Sequence, residues 1–327
     1  MREEWIGKPY NSLNAYLQNT YGEKCYKIAL DAGLSCPNRD GKIGTGGCIF
    51  CSAGGSGDFA TKTDAASIHV QLKEGLNLFK EKKVGNKFIA YFQAYTNTYG
   101  PISYLREIYT AALDLNEVIG ISIATRPDCL GDEVLALLGE LKNLYPHKFI
   151  WVELGLQTIH EQTAAYIKRG FPLSVFEEAY QSLQALQIPV IVHVILGLPG
   201  ETKENMYATC AYLNRFKPFG VKLQLLHVLK GTLLGVLYEK DPTLQLPGGF
   251  AILNLEEYMN ILIHCLEILD PDIVLHRVTG DGPKDLLLAP TWSLNKKHVL
   301  NTLHKTMRER NTYQGRTFYD TGSIDPL

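Results

Sequence analysis

Three cysteines lie in a glycine-rich stretch that is too irregular for a long helix or strand, SCPNRDGKIGTGGCIFCSAGGSGDF at residues 35–59. Cys48 and Cys51 have two residues between them, the spacing at which one turn aims two thiolates at a single metal centre. Cys36 supplies a third thiol from further upstream. Because thiolates are ligands of zinc and of iron–sulfur clusters, the stretch predicts metal or redox chemistry.

Two metal centres are compatible with thiols at this spacing. A closed zinc site needs four ligands, and the nearby candidate for the fourth is Cys25. A 4Fe-4S cluster on three thiolates instead keeps one iron open for a small molecule. The flanking glycines let the backbone approach a cluster closely, and Phe50 places an aromatic ring before the last thiol. We therefore expect the cluster, with a zinc site and a surface loop with incidental cysteines as competing interpretations.

The elements that would position these thiols follow from the hydrophobic pattern. From residue 24 onward, apolar runs alternate with segments of helical period, which is typical of βα units and a parallel sheet. The predicted strands cover residues 24–30, 87–95, 118–126, 148–157, 189–199 and 220–229. The predicted helices cover residues 64–83, 101–114, 131–144, 160–168, 174–186 and 202–214. Six such repeats predict an α/β fold, a partial (β/α)6 barrel of the TIM type.

After the sixth strand the pattern changes to a helix near 254–269, a strand near 272–278 and a polar helix near 295–309. These elements predict a C-terminal α+β extension. The predicted divisions are an N-terminal segment, a barrel core and this extension, at residues 1–20, 21–235 and 236–327.

Polar clusters follow several of the predicted strands. They read QAYTNT at 93–98, ATRPD at 124–128, ELGLQ at 153–157 and LGLPGET at 196–202. Reactive groups of parallel barrels sit at the carboxyl ends of the strands, where the cysteine loop also falls. The sequence therefore predicts one cofactor site on that face.

Composition narrows the class of protein. A chain of 327 residues that is 46% hydrophobic can bury a large core, and its net charge of -2 excludes a globally basic nucleic-acid binder. The start has no signal-peptide pattern, and no apolar run reaches about 18 residues. We expect a cytoplasmic protein with no membrane segment.

Several longer stretches carry a resemblance. They are ALDAGLSCPNRDG, GGCIFC, YFQAYTNTY, TRPDCL, ELGLQT and HVILGLPGE. Together they resemble the radical S-adenosylmethionine (SAM) superfamily, specifically its elongator-like branch and the YhcC/YtqA family. The eleven-residue gap between the first two cysteines departs from the superfamily's common three-residue gap and is similar to that branch.

The resemblance implies the chemistry and the residues that carry it. Cys36, Cys48 and Cys51 would hold a 4Fe-4S cluster, and SAM would chelate the fourth iron. An electron from a donor such as flavodoxin or ferredoxin would then cleave SAM to a 5'-deoxyadenosyl radical. The implied SAM contacts are Phe50, Gln93, Thr96, Thr125, Arg126, Glu153, Gln157, Arg169 and Leu196.

For two of these residues, physical principles predict the local structure without the resemblance. Proline disfavours helical geometry in the residue before it, so Arg126 is expected to be extended and to hold its guanidinium at the barrel mouth. A carboxylate inside a strand as apolar as FIWVELGL needs a partner, so Glu153 is expected to be paired.

The resemblance also implies a substrate. The YtqA type, to which the segment CSAGGSGDFA is similar, is implied to be MnmL-like: it would convert 5-carboxymethylaminomethyl to 5-aminomethyl at the wobble uridine of tRNA. A basic segment gives independent support for RNA, because clustered cations bind phosphates. The segment covers residues 295–316, and Trp292 and Tyr313 flank its cations. These are Lys296, Lys297, Lys305, Arg308, Arg310 and Arg316, against one acid, Glu309. A solvated helix face explains the same pattern without RNA.

Two alternatives to this function remain open at this point. One is a radical SAM enzyme acting on a small metabolite. The other is a non-catalytic, zinc-stabilised RNA-binding module that uses Cys25 as its fourth ligand.

Overall fold

The computed structural model describes residues 2–55, 68–81, 85–241, 252–280 and 282–318 of an α/β protein. Its strands, β1 to β9, are Cys25–Leu30, Lys87–Phe92, Val118–Thr125, Phe149–Gln157, Val190–Leu196, Gly220–Leu225, Val228–Leu229, Val274–Arg277 and Leu287–Ala289. The helices, α1 to α10, are Leu13–Tyr21, Ile68–Glu81, Ile102–Leu113, Asp132–Leu144, Glu161–Tyr166, Leu173–Ala185, Lys203–Leu213, Leu233–Lys240, Leu255–Ile268 and Lys296–Glu309. No helix in these ranges is both long and apolar enough to cross a membrane.

The main sheet has seven strands in the order β1-β2-β3-β4-β5-β6-β8. The pairs β1–β2, β2–β3, β3–β4 and β6–β8 are parallel, as expected for strands joined by crossover helices. β2 and β3 are buried almost along their whole length, which explains why they read as continuous apolar runs rather than as alternating ones.

The six predicted βα repeats are present, and the sheet contains one strand more. β8 was expected in the extension, but it pairs with β6, and Gly220 and Val221 align with Val274 and Leu275. Residues 56–59 of the predicted cysteine loop, and the ends of the predicted helix at 64–67 and 82–83, lie outside the described residues.

The chain divides into two compact units. One comprises residues 17–156 and 169–191 and contains β1 to β4; the other comprises residues 1–16, 157–168 and 192–327. The predicted divisions after residues 20 and 235 stay predictions.

The first residues of the chain belong to the second of these units. Ser12 forms a parallel bridge with Leu275 of β8, and the Gln314 side chain accepts a hydrogen bond from the backbone N–H of Asn11 at 2.9 Å. The ring of Trp5 is buried. This segment is therefore a packed part of its unit.

Candidate active site

The cysteine loop follows β1 and is held by turn hydrogen bonds rather than by a strand or helix. The carbonyl of Cys36 accepts from the N–H groups of Arg39 at 2.8 Å and Asp40 at 3.2 Å. The N–H of Cys51 donates to the carbonyl of Cys48 at 3.0 Å, which closes the turn between these two thiols. Phe50 is half-buried inside this turn. Backbone hydrogen bonds therefore fix the conformation of the loop at the cysteines.

The three thiols share one electrostatic environment. The pKa of the Cys48 thiol is raised to about 12, chiefly by burial and then by the neighbouring charges of Cys51 and Cys36, while Arg126 opposes the rise. No three His, Cys, Asp or Glu side chains of the described residues converge as a single metal ion requires. A 4Fe-4S cluster has no such requirement, because each cysteine binds a different iron. The donor set therefore fits the cluster.

The zinc site that would use Cys25 does not form. Cys25 is the first residue of β1, whereas the cysteine loop leaves the other end of that strand. At about 3.3 Å per residue the two ends are about 17 Å apart. Cys25 instead lies beside Glu23, with its sulfur 3.7 Å from the Glu23 carbonyl. The zinc-stabilised module is thus a wrong alternative.

Two residues of the loop support the thiols and were not singled out from the sequence. The amide of Asn38, which is buried, donates to the sulfur of Cys48 at 3.6 Å. The guanidinium of Arg39 donates to the carbonyl of Cys51 at 3.0 Å and also to that of Ser52. The motif CPNRDG therefore contains two side chains that reach toward the later cysteines.

The segment after β2 forms backbone hydrogen bonds with the cysteine loop. The N–H of Thr96 donates to the carbonyl of Ser35 at 3.2 Å, and that of Tyr95 donates to the carbonyl of Gly55 at 2.8 Å. Thr96 is buried, and the backbone N–H of Gln93 donates to Leu30 at the end of β1. Gln93 and Thr96 are thus next to the loop, as expected for strand ends on one face.

Asn97, in the same segment, belongs to the polar cluster at 93–98 but was not among the individually predicted SAM contacts. It is fully buried, and its Nδ2 donates to the carbonyls of Phe92 at 3.1 Å and Ala124 at 3.0 Å. Its Oδ1 is buried without a hydrogen-bond partner among the described residues. Because buried polar atoms are nearly always satisfied, this oxygen is a fitting acceptor for a ligand N–H or O–H.

The end of β3 carries two of the predicted contacts. The hydroxyl of Thr125 lies 2.6 Å from that of Thr98, which ties β3 to the segment after β2. Arg126 is extended, with φ −95° and ψ 143°, which confirms the geometry expected before proline. Its guanidinium donates to both oxygens of Asp128, at 2.9 and 2.7 Å, so its charge is balanced by a carboxylate.

Glu153 has the partner that its buried position requires. The ammonium of Lys27 lies 3.0 Å from its Oε1, and the hydroxyl of Ser122 donates to the same oxygen at 2.6 Å. Glu153 is fully buried, and Lys27 also lies over the ring of Tyr91. The expected pairing of the carboxylate is therefore confirmed.

Arg169 is almost fully buried between β4 and α6. Its Nη1 donates to the carbonyl of Leu156 and its Nε to that of Phe171, both at 3.0 Å. The guanidinium also lies 4.7 Å from the centre of the Phe171 ring. These contacts fix the direction of the side chain at the end of β4.

Gln157 and Leu196 belong to the other compact unit. Gln157, the last residue of β4, has a φ of 68°, and its buried Oε1 has no hydrogen-bond partner among the described residues. The next residue, Thr158, donates from its hydroxyl to Oε1 of Glu201 at 2.5 Å. Leu196, the last residue of β5, is fully buried. A strained residue with an unsatisfied acceptor is typical of a ligand site.

The last helix presents the predicted cations to solvent. α10 buries Val299, Leu303 and Met307, one side chain per turn. With 3.6 residues per turn, Lys297, Lys305 and Arg308 fall on the opposite face, and we call these three the basic helix face. Arg310 donates to the side chain of Asn260 at 2.6 Å.

Comparisons with known proteins agree with this architecture. Residues 40–213 match the radical SAM superfamily, and residues 218–309 match the radical SAM C-terminal domain. The chain is 44% identical over 312 residues to YtqA of Bacillus subtilis (strain 168), across 95% of this chain and 93% of that protein. It is 35% identical over 304 residues to YhcC of Escherichia coli (strain K12), across 93% and 94%.

More distant similarities cover part of the sequence or the fold. A tRNA uridine(34) acetyltransferase of Methanocaldococcus jannaschii is 25% identical over 173 residues, which is 52% of this chain and 30% of that protein. The structure of archaeal Methanocaldococcus infernus Elp3 with an N-terminal deletion matches with a TM-score of 0.65 at 16% identity, across 92% of this chain and 68% of that one. This likeness confirms the predicted fold class, the partial barrel of the radical SAM type.

Proposed function

Because the chain belongs to the radical SAM superfamily, whose cofactors are a 4Fe-4S cluster and SAM, we propose that Cys36, Cys48 and Cys51 hold the cluster here. The shared environment of the three thiols supports this assignment. When bound, the two cofactors supply a carbon radical that removes a hydrogen atom from the substrate. The protein's own residues bind and orient these groups and exclude water.

The SAM contacts in this proposal are those implied by the sequence except Arg126, Glu153 and Arg169, with Asn97 added. The buried oxygens of Asn97 and Gln157 are acceptors without donors among the described residues, and SAM offers an ammonium and ribose hydroxyls. Arg126 and Arg169 are engaged with Asp128 and with backbone carbonyls, and we assign them to holding the strand ends in place. Phe50, Gln93, Thr96, Thr125 and Leu196 complete the set. Glu153 is left out of it, because its carboxylate is paired with Lys27.

The substrate we propose is tRNA, at the wobble uridine, where the enzyme removes the carboxymethyl portion of a 5-carboxymethylaminomethyl group. The observation that carries this assignment is the basic helix face, because cations on one face bind phosphates. The similarity to a protein named tRNA uridine(34) acetyltransferase supports the same nucleotide. We place the enzyme in the cytoplasm, where tRNA is modified.

An electron donor such as flavodoxin or ferredoxin completes the proposal. A cleft of about 410 Å³ opens beside the cysteine loop, lined among others by Lys42, Tyr99 and Cys129. Pro37, the neighbour of Cys36, also lines it. The cleft supports close approach of a redox partner to the cluster.

The substrate assignment is tested by mass spectrometry of nucleosides from tRNA of cells with and without the gene. We expect 5-aminomethyl nucleosides to disappear and the 5-carboxymethylaminomethyl nucleoside to accumulate in the deletion strain. A plasmid with the wild-type gene should restore the pattern, and one with C48A should not. An unchanged nucleoside profile in the deletion strain would contradict the assignment.

A further inference from the structure

Arg39 is a cation inside the cysteine loop that no carboxylate balances in the described part of the chain. Its guanidinium donates to the carbonyls of Cys51 and Ser52 and lies 5.7 Å from the centre of the Tyr95 ring. Arg126 has a different environment, because Asp128 binds it through two hydrogen bonds. Arg39, by contrast, has no carboxylate partner among the described residues and contacts the backbone of a proposed ligand.

The loop is shaped around this side chain. Gly47 has a φ of 81°, and a Cβ placed on it would lie 2.9 Å from Nε of Arg39. A larger residue at this position would therefore displace the guanidinium. The guanidinium thus packs against the backbone at Gly47 and is oriented by its hydrogen bonds to Cys51 and Ser52.

The Tyr95 ring beside it is fixed as well. Its hydroxyl donates to the carbonyl of Ala53 at 2.6 Å, and a Cβ on Gly55 would come within 2.2 Å of the ring. Tyr95 also has a φ of 60°, which is unusual for a residue with a side chain. The cysteine loop and the segment after β2 thus pack closely together beside the guanidinium of Arg39.

The guanidinium of Arg39 lies beside one of the proposed ligands. Its hydrogen bond to the carbonyl of Cys51 places the positive charge next to that residue. Arg39 therefore supplies a fixed positive charge beside Cys51.

We propose that Arg39 tunes the 4Fe-4S cluster, because a fixed positive charge beside Cys51 favours the reduced and more negative form and so raises the reduction potential. Net charge, hydrogen bonds and solvent exposure around the sulfurs set such potentials. Electron uptake by the cluster precedes SAM cleavage, so the residue makes the first electron transfer easier. This inference rests on the assignment of the three cysteines as ligands, and it is independent of the tRNA substrate.

The test is a redox titration of the anaerobically reconstituted protein, monitored by electron paramagnetic resonance and accompanied by iron analysis. R39Q keeps a polar N–H donor in the side chain but loses the charge, and R39K keeps the charge. We expect R39Q to lower the equilibrium constant for one-electron reduction about tenfold, which is about 59 mV. R39K should remain close to the wild type. R106Q is the matched control, because Arg106 is an exposed partner of Glu140.

Each outcome decides the proposal. An R39Q protein with full iron content and an unchanged potential would overturn it. If R39Q retains too little iron for a titration, a loaded R39K protein with a near-normal potential supports the role of the charge. If R39K loses the cluster as well, the guanidinium group is needed to hold the loop through its two hydrogen bonds. That result would overturn the role of Arg39 in tuning the potential.

A separate variant identifies failure of the ligand assignment itself. C48A should lose the cluster, and a full cluster in C48A would refute that assignment before Arg39 is considered. A cluster that depends on Cys48 but whose potential ignores Arg39 would refute the tuning role alone.

Discussion

The ammonium of Lys27 on β1 lies 3.0 Å from the carboxylate of Glu153 on β4, although two strands stand between them in the sheet. In a flat sheet three strand spacings would separate them by about 14 Å. The contact therefore shows that β1 to β4 curl toward their inner face. It also explains how a carboxylate that is 0% exposed is tolerated inside an apolar strand.

We predict that K27M destabilises the protein by about 3 kcal/mol, because breaking a buried pair leaves Glu153 uncompensated. The free energy of unfolding in urea measures this loss. R106A is the control: its pair with Glu140 is exposed on both sides and should change stability by less than about 1 kcal/mol. Unchanged stability of K27M together with weaker SAM binding would instead assign Glu153 to the cofactor.

Substitution of Asn97 should weaken SAM binding. Its buried Oδ1 has no donor among the described residues, and a hydrogen bond to a charged group contributes about 1.5 kcal/mol or more. We expect N97A to raise the dissociation constant for SAM about tenfold in isothermal titration calorimetry of the reconstituted protein.

The control for this prediction is N214A. Both polar atoms of the Asn214 side chain are bound to backbone groups, of Ile268 and Asp270. This substitution should lower stability and leave SAM affinity unchanged. Equal SAM affinities for N97A and the wild type would remove Asn97 from the site.

Stability should depend on pH through Glu201. Burial raises the pKa of its carboxyl, against the hydrogen bond from Thr158 and the charge of His160. The folded state thus binds the proton more tightly than the unfolded state does. This contribution to stability is full below the unfolded pKa of about 4.3 and is lost as pH rises through the raised value.

E201Q cannot ionise, so we expect its stability relative to the wild type to increase between about pH 4 and about pH 7. Urea unfolding at several pH values measures the difference. E204Q should show the opposite trend, because the backbone hydrogen bond of Glu204 lowers the pKa of that carboxyl. A difference between E201Q and the wild type that does not vary with pH would refute the shift at Glu201.

Removal of two cations from the basic helix face should weaken tRNA binding and its salt dependence. For K297Q/R308Q we expect the slope of log affinity against log salt to fall in magnitude by about 1.5 to 2. Each lost phosphate contact lowers the magnitude of this slope by about 0.9. Filter binding at several salt concentrations provides the slopes. K203Q/K240Q, on α7 and α8, is the control, and an equal effect there would show that the face has no special role.

The order of strands and helices was predictable because central strands such as β2 and β3 are buried along nearly their whole length and read as apolar runs, whereas helices such as α3 and α4 have one apolar side. α1, at Leu13–Tyr21, was missed because polar residues such as Asn14, Gln18 and Asn19 obscure its period. The place of β8 beside β6 was also missed, since pairing between strands so far apart in sequence leaves no local signal. The first error concerns the local hydrophobic pattern, and the second concerns tertiary context.

At the site, residue types and spacing identified the thiols and the polar strand ends. They did not identify the partners, because Lys27 is 126 positions from Glu153 and Arg39 reaches forward to Cys51 through a folded loop. A buried but unsatisfied oxygen such as that of Asn97 is visible only in three dimensions. Arg39 was not predicted, although a basic residue inside a metal-binding loop is a sequence signal by which it could have been found.

The open iron of the cluster is tested most directly by Mössbauer spectroscopy of protein reconstituted anaerobically with isotopically enriched iron. We expect about four irons per chain, retained in C25A and lost in C36A, and a spectrum in which one iron changes when SAM is added. A protein that binds one zinc ion instead, or a cluster whose spectrum is identical with and without SAM, would contradict the account.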